Sequence, residues 1–296
     1  MGERSLLASA LVACCCAHLG VAQPEKLCYA FLRSGNVHVT CGKESGQITH
    51  RRDIERFAVS EERSYLAFLT SQITKRTATS ADAVYTTTLV DLRSGKLSQT
   101  AGQAFGDNTL VGTCGGIFRA AADSNEHSGT IDLITGAKID MPPYRWFICS
   151  SDRRVVFGSL GAHRGEGNLY EGIPPALKVP ALAKYNLYTY NISPDGSKIA
   201  YETGSRPLCV LSSSGPPECA AESLGENFEL SVNNAGEVLI EERDPKDGHI
   251  GIAYWKAGLE SLEVIESYGD APQWISPATA ELLLKLSAQH DQKEAR

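Results

Sequence analysis

The sequence lacks an excess of positive charge. Its 28 Lys and Arg are outnumbered by 35 Asp and Glu, for a formal net charge of -7 over 296 residues. A protein that holds nucleic acid by displacing counterions needs a basic field, so nucleic-acid partners are excluded. No apolar run beyond the N-terminal segment is long enough to span a bilayer. There is no C-x-x-C pair and no Cys/His array with zinc spacing. A P-loop, a dinucleotide fingerprint, a zincin helix and a hydrolase nucleophile elbow are all missing too. No cofactor and no motif-defined metal site is therefore expected. Charged residues reach only 21% while hydrophobic ones make up 42%, which excludes a disordered chain.

What is present begins with a targeting segment. Apolar residues run from Leu6 to Ala22 and end in Gly20-Val21-Ala22, small residues of the kind a signal peptidase cuts behind. Residues 1–22 read as a secretory signal, placing the mature chain outside the cell or in a periplasm. The alternative is the stretch Leu11-Val12-Ala13-Cys14, which has the form of a lipobox. Cys14 would then carry a lipid and tether the protein to the cell envelope, its sole route to a membrane.

Six cysteines follow the signal: Cys28, Cys41, Cys114, Cys149, Cys209 and Cys219. An even count in an exported chain suits disulfides, with fifteen possible connectivities. Cys28 and Cys41 flank the turn Arg33-Ser34-Gly35-Asn36, and Cys209 and Cys219 flank Ser212-Ser213-Ser214-Gly215-Pro216. Hairpins centred on these turns set each pair side by side and leave Cys114 with Cys149. Buried free thiols are the other reading.

The rest of the chain repeats. A turn followed by a short apolar run occurs in Ser193-Pro194-Asp195-Gly196-Ser197-Lys198-Ile199-Ala200-Tyr201, near Ser60 and Ser151, and in Asn234-Ala235-Gly236-Glu237-Val238-Leu239-Ile240. Pro-Asp-Gly and Asn-Ala-Gly supply turn dihedrals, and each apolar run reads as a buried strand. A second pattern recurs downstream, in Leu89-Val90-Asp91-Leu92-Arg93-Ser94-Gly95 and Thr130-Ile131-Asp132-Leu133-Ile134-Thr135-Gly136. A period of about forty residues holding about four short strands is the mark of a propeller blade.

Ile192-Ser193-Pro194-Asp195-Gly196-Ser197-Lys198-Ile199-Ala200-Tyr201 resembles the WD-like repeat of TolB-type β-propellers, and Val90-Asp91-Leu92-Arg93-Ser94-Gly95 resembles a later strand of that repeat. By period the resemblance covers most of residues 27–277, with one copy close to the family pattern. It implies an all-β propeller. That family mixes periplasmic scaffolds with enzyme-attached domains, so it carries over no catalytic residue. Counting motifs gives six blades, with seven as the alternative. The sixth would be split between the strands around Cys28 and Val39 and a strand at Pro272-Gln273-Trp274-Ile275. The expected organisation is a signal over 1–22, a propeller over 23–277 and a C-terminal helix and tail over 278–296. Ser276 would cap that helix, with Pro277 at its first position.

The loops joining second to third strands gather on one face of a propeller. Here they hold His127, His163, Arg164 and His249, and the loops leading into each blade add Arg145 and Trp146. Imidazoles and carboxylates converging there suit metal binding or acid–base work, whereas exposed Arg and Trp suit a protein contact. The sequence thus favours an exported, non-enzymatic module that binds a protein or peptide through this face. The alternative is a propeller hydrolase or lyase, metal-assisted in one version.

Overall fold

Short apolar runs bounded by Gly- and Asp-containing turns fold as antiparallel strands. The computed structural model describes residues 26–76, 81–103, 109–111, 116, 118–121, 129–139, 146–151, 156–159, 168–171, 189–202, 207–212, 215–221, 229–243 and 247–294. Among these residues the strands form six sheets. Sheet 1 joins the two ends of the propeller, in the order β23-β1-β2-β3. It contains β1 (Cys28–Arg33), β2 (Asn36–Cys41), β3 (Glu44–Gln47) and β23 (Asp270–Trp274). Sheet 2 runs β4 (Ile54–Ser60), β5 (Tyr65–Arg76), β6 (Ala81–Asp91), β7 (Leu97–Gln103). Sheet 3 runs β8 (Thr109–Val111), β9 (Phe118–Ala121), β10 (Gly129–Asp132), β11 (Lys138–Ile139). Sheet 4 has three described strands, β12 (Trp146–Cys149), β13 (Val156–Ser159) and β14 (Asn168–Glu171). Sheet 5 runs β15 (Thr189–Ile192), β16 (Lys198–Glu202), β17 (Cys209–Ser212), β18 (Glu218–Cys219). Sheet 6 runs β19 (Leu230–Val232), β20 (Val238–Arg243), β21 (Ile250–Trp255), β22 (Glu263–Glu266).

The first strand of each sheet touches the first strand of the next: β23, β4, β8, β12, β15, β19 and back to β23. This is the arrangement of a β-propeller, with first strands innermost. An inner strand has one edge without a ladder partner, and side chains bridge those edges. Gln273 donates to Val59 O at 2.8 Å and accepts from Val59 N–H at 2.9 Å, tying β23 to β4. Trp274 donates its indole N–H to Ser231 O at 3.2 Å, tying β23 to β19. Asn191 donates to Leu230 O at 2.7 Å, tying β15 to β19.

Strand direction then defines two faces. Inner strands begin, and second strands end, on what is here termed the mouth face. The first-to-second and third-to-fourth turns lie on the opposite turn face. There the recurring Asp-containing turns are built alike: Gly95 N–H donates to Asp91 O and Gly136 N–H to Asp132 O, each at 2.7 Å. Gly95 and Gly136 have φ of 68° and 71°, a conformation that favours glycine.

Two disulfides clasp neighbouring strands, Cys28–Cys41 between β1 and β2 and Cys209–Cys219 between β17 and β18. Both match the pairs flanking the sequence turns. Cys149 is disulfide-bonded as well, while Cys114 lies outside the described residues. These bonds point to an oxidising compartment. No helix among the described residues is long and apolar enough to cross a membrane.

The chain ends in α1 (Pro277–Glu294). Ser276 Oγ accepts the Thr279 N–H at 3.3 Å, the N-cap bond expected from the sequence. Ala280, Leu283 and Leu286 are buried in one cluster with Val37, Val39 and Ile48 of the sheet 1 segment and with Leu92. Gly46 on β3 leaves room for this packing, since a Cβ there would lie 2.8 Å from Ser287 Oγ. A second cluster, centred on Trp255, Val238 and Ile240, fills the space between sheets 5 and 6.

A carboxylate cluster at the mouth face

Two of the inner strands are irregular where they start. In β4 the register passes from Ile54↔Thr70 to Arg56↔Leu69, so Glu55 is an extra residue. In β23 it passes from Leu32↔Asp270 to Ala30↔Gln273, so Ala271 and Pro272 share one partner position. Ala271 has φ of 48°, a left-handed conformation that costs an L-residue about 1 kcal/mol. Bulges bend a strand and re-aim the side chains beside them. Here they flank Arg56 and Asp270. Glu229, immediately before β19, and Glu241, near the end of β20, complete a four-residue group on the same face.

Arg56 Nη1 lies 2.5 Å from Glu229 Oε1. Glu241 is 5% exposed, and its Oε1 accepts the Ala271 N–H at 2.5 Å. The bulge therefore supplies the donor that holds Glu241. Asp270 Oδ1 is buried with no hydrogen-bond partner among the described residues. Burial, then the charge of Glu229, pushes the Glu241 carboxyl up to about 8, against the opposing Ala271 N–H. Burial, then Glu229, also raises Asp270, to about 6, with Arg56 opposing. Two carboxyls thus hold protons well above the ordinary range, beside a third that is ion-paired. Groups poised near neutrality in a desolvated mouth are suited to proton transfer. Among the described residues no group of three or more His, Cys, Asp or Glu could hold a metal ion.

The residues singled out from the sequence sit elsewhere. His249 is on the mouth face, toward its rim. Its ring lies edge-on to Tyr268 with centroids 4.8 Å apart, and its Nε2 is 3.9 Å from Asp247 Oδ2. Arg33 lines the same rim, donating to Tyr268 O at 3.0 Å and pairing with Glu266 at 2.5 Å. Trp146 opens β12, an inner strand, opposite Ser159. His127, His163, Arg164, Arg145 and Cys14 lie outside the described residues. Arg56, Glu229, Glu241 and Asp270 were not anticipated. The one available signal was Glu241-Glu242 directly after the buried run Val238-Leu239-Ile240, which sets two acids at the end of a core strand.

No family model matches the sequence, and no curated protein matches it. Solved structures do. An acylaminoacyl peptidase from Pyrococcus horikoshii aligns with 82% of this chain and 43% of its own length, at 11% identity and a TM-score of 0.49. The chain thus spans less than half of that peptidase. The β-propeller domain of Cps50 (Swd1) from Myceliophteria thermophila aligns over 77% of both chains, at 12% identity and a TM-score of 0.38. A chain of a mitotic checkpoint complex aligns with 84% of this chain and 74% of its own, at 11% identity and a TM-score of 0.39. These matches correct one expectation. The first matched structures are peptidases, against the expectation of a non-enzymatic binding or scaffold module. The acids at the mouth come from separate strands, so no local string of residues marks them.

Proposed function

We propose that this chain is an exported, six-bladed β-propeller hydrolase whose reactive centre is the mouth cluster Arg56, Glu229, Glu241 and Asp270. The six-membered cycle of inner strands supports the blade count. The apolar segment ahead of Gln23 and the disulfides support export, with cleavage after Ala22 or lipid attachment at Cys14 as the two routes. The WD-like repeat around Pro194-Asp195-Gly196 supports a TolB-type origin.

One observation carries the catalytic reading. Glu241 is buried, fixed by the Ala271 N–H, and placed in the electrostatic reach of Asp270 and the Glu229–Arg56 pair. In hydrolysis a protonated carboxyl gives its proton to the leaving group while an ionised one takes a proton from the attacking water. Glu241 fits the first role and Asp270 the second. Arg56 holds Glu229 and limits the repulsion among the acids. The test is turnover of chromogenic ester, amide and glycoside substrates by the mature protein between pH 4 and pH 9. Glu241→Gln is expected to lower kcat by about 10²–10⁴-fold. The wild-type profile should be a bell with limbs belonging to the coupled group, near 6 and near 8. Absence of turnover on all three substrate classes overturns the reading.

A further inference from the structure

The chain passes from sheet 6 to sheet 1 through a short crossing on the mouth face, Ser267-Tyr268-Gly269, which leads from β22 into β23. The crossing runs straight into the mouth cluster. Asp270 follows it directly. Ala271, whose N–H holds Glu241, comes next. Whatever fixes the crossing therefore fixes where these two acids meet.

Two grips hold it. On the sheet 6 side, Gly269 N–H donates to Ile250 O at 3.0 Å. The backbone is pressed close there, since a Cβ on Gly269 would stand 2.8 Å from Phe31 Cδ2. On the sheet 1 side, the grip is Arg33. Leu32 pairs with Asp270, so Arg33, the last residue of β1, comes level with the crossing. Its guanidinium is used twice. Nε donates to Tyr268 O at 3.0 Å, and Nη2 donates to the carboxylate of Glu266, the last residue of β22, at 2.5 Å. One planar fork thus ties the end of β22 to the middle of the crossing. The fork is held in turn. Arg33 Cζ lies 5.2 Å from the centroid of the Phe31 ring, and Glu266 also accepts the hydroxyl of the buried Tyr29 at 3.0 Å.

We propose that Arg33 is a positioning residue for the mouth cluster, holding the crossing so that Asp270 and the Ala271 N–H meet Glu241 in one geometry. Proton transfer needs its groups within hydrogen-bond reach, and a misplacement of about 1 Å costs about 10²-fold in rate. Arg33 acts from outside the group Arg56, Glu229, Glu241 and Asp270, through the main chain of the crossing. A lysine is no substitute, because an ammonium is a point charge on a flexible stem and makes no planar fork. The inference rests on the hydrolase reading for its effect on rate. The geometry it asserts is read without turnover.

The test is a carboxyl-carbon NMR titration of the mature protein, labelled in Asp and Glu, between pH 4 and pH 9. The Glu241→Gln and Asp270→Asn variants assign the two signals. Wild-type midpoints should lie near 8 for Glu241 and near 6 for Asp270. Burial is the largest cause of both, and the opposing Ala271 N–H ranks below it at Glu241. A crossing without Arg33 admits water to both acids, so Arg33→Met should lower each midpoint by about one pH unit. Arg33→Lys keeps a charge beside Glu266 and should recover less than half of that fall. Glu229 and Arg56, the charged residues that face both acids, are untouched in either variant. Arg51→Met removes an exposed ion pair with Asp53 on the same face and should move neither midpoint.

Unmoved midpoints in Arg33→Met overturn the proposal. So does full recovery by Arg33→Lys, which would reduce Arg33 to a charge, and so does an equal fall in Arg51→Met. If Arg33→Met does not fold, Arg33→Lys decides by itself, and wild-type midpoints in it overturn the proposal. On a substrate from the turnover screen, Arg33→Met should lower kcat about tenfold or more with KM unchanged. If only the hydrolase reading fails, the midpoints fall as stated and the wild type turns over nothing. If only the positioning proposal fails, turnover is present and lost in Glu241→Gln, while Arg33→Met keeps the wild-type midpoints and kcat.

Discussion

The two faces of the propeller treat the same chemical group in opposite ways. On the turn face, Asp91, Asp132 and Asp195 are all held below the usual carboxylate range. The Arg93 N–H does this first for Asp91. Burial works against Asp132 and Asp195, but is outweighed by turn N–H and hydroxyl donors, with Arg63 added at Asp132. On the mouth face, Glu241 and Asp270 are raised. Glu241 is buried and Asp270 half-buried, yet among the described residues they meet one backbone donor between them, and the charge of Glu229 bears on both. The difference lies in the supply of donors. A turn offers its N–H groups to the side chain that starts it, whereas the mouth collects acids from separate strands. Glu61 is the exception on the turn face. Burial raises it although it accepts the Ser276 N–H at the start of α1.

The faces therefore respond to pH with opposite sign. Glu241 has a folded value near 8 against 4.5 for a free glutamate. Its contribution is whole below 4.5 and is lost as pH rises through 8. The turn aspartates contribute above 3.8 and lose that contribution as pH falls through their lowered folded values. Glu241→Gln, which keeps an acceptor for the Ala271 N–H, should break this contrast most. It should leave stability unchanged at pH 4 and raise it by about 4 kcal/mol at pH 8, measured by denaturant unfolding at the two pH values. Equal stability of variant and wild type at pH 8 would mean the carboxyl is not desolvated.

The next largest effect is expected on the other face. Asp132 is 3% exposed, accepts the Ile134 N–H at 3.0 Å and pairs with Arg63 at 2.8 Å. Asp132→Ala leaves a turn donor and a half-buried guanidinium without a partner. It should cost about 2 kcal/mol at pH 7 and less at pH 3. Ala271→Gly has the reverse sign and a smaller size. Glycine relieves the positive φ, so thermal unfolding should report about 1 kcal/mol of added stability. Because the same bulge aims Asp270 and supplies the donor to Glu241, turnover should fall at the same time. A variant that is more stable and fully active would show that the bulge is not tied to the mouth.

These contrasts explain which features the sequence revealed. The turn face is local. Asp91 and Asp132 stand 41 residues apart in matching strings, and each builds its turn from its own next four residues, so the structure repeats what the string repeats. The two hairpin disulfides were legible for the same reason, because each pair straddles one turn. The meeting of β1 with β23 was legible because each end of the chain showed an incomplete sheet. The mouth had no such signal. Arg56 and Glu229 are 173 positions apart and still within 2.5 Å, a contact that exists only once the inner strands close their cycle. Nothing in Ile54-Glu55-Arg56 or Asp270-Ala271-Pro272 spells a bulge. The loop histidines drew notice by residue type, and His249, the described one, lies at the rim beside Tyr268.

The smallest effect is the sharpest test of the donor argument. Asp91 and Asp132 start the same kind of turn, with N–H to Oδ1 distances of 2.9 Å at Arg93 and 3.0 Å at Ile134. They differ in setting. Asp132 is buried against Arg63, whereas Asp91 is solvated and makes no such ion pair among the described residues. Asparagine retains the Oδ1 acceptor and removes only the charge. Asp91→Asn should therefore change stability by less than about 0.5 kcal/mol at pH 7, while Asp132→Asn, which strips Arg63 of its counter-charge, should cost more than that. Parallel denaturant unfolding of the two variants checks the ranking. If Asp91→Asn proves as costly as Asp132→Asn, the carboxylate charge and not the oxygen acceptor organises these turns, and the contrast between the faces would have to be rebuilt on charge alone.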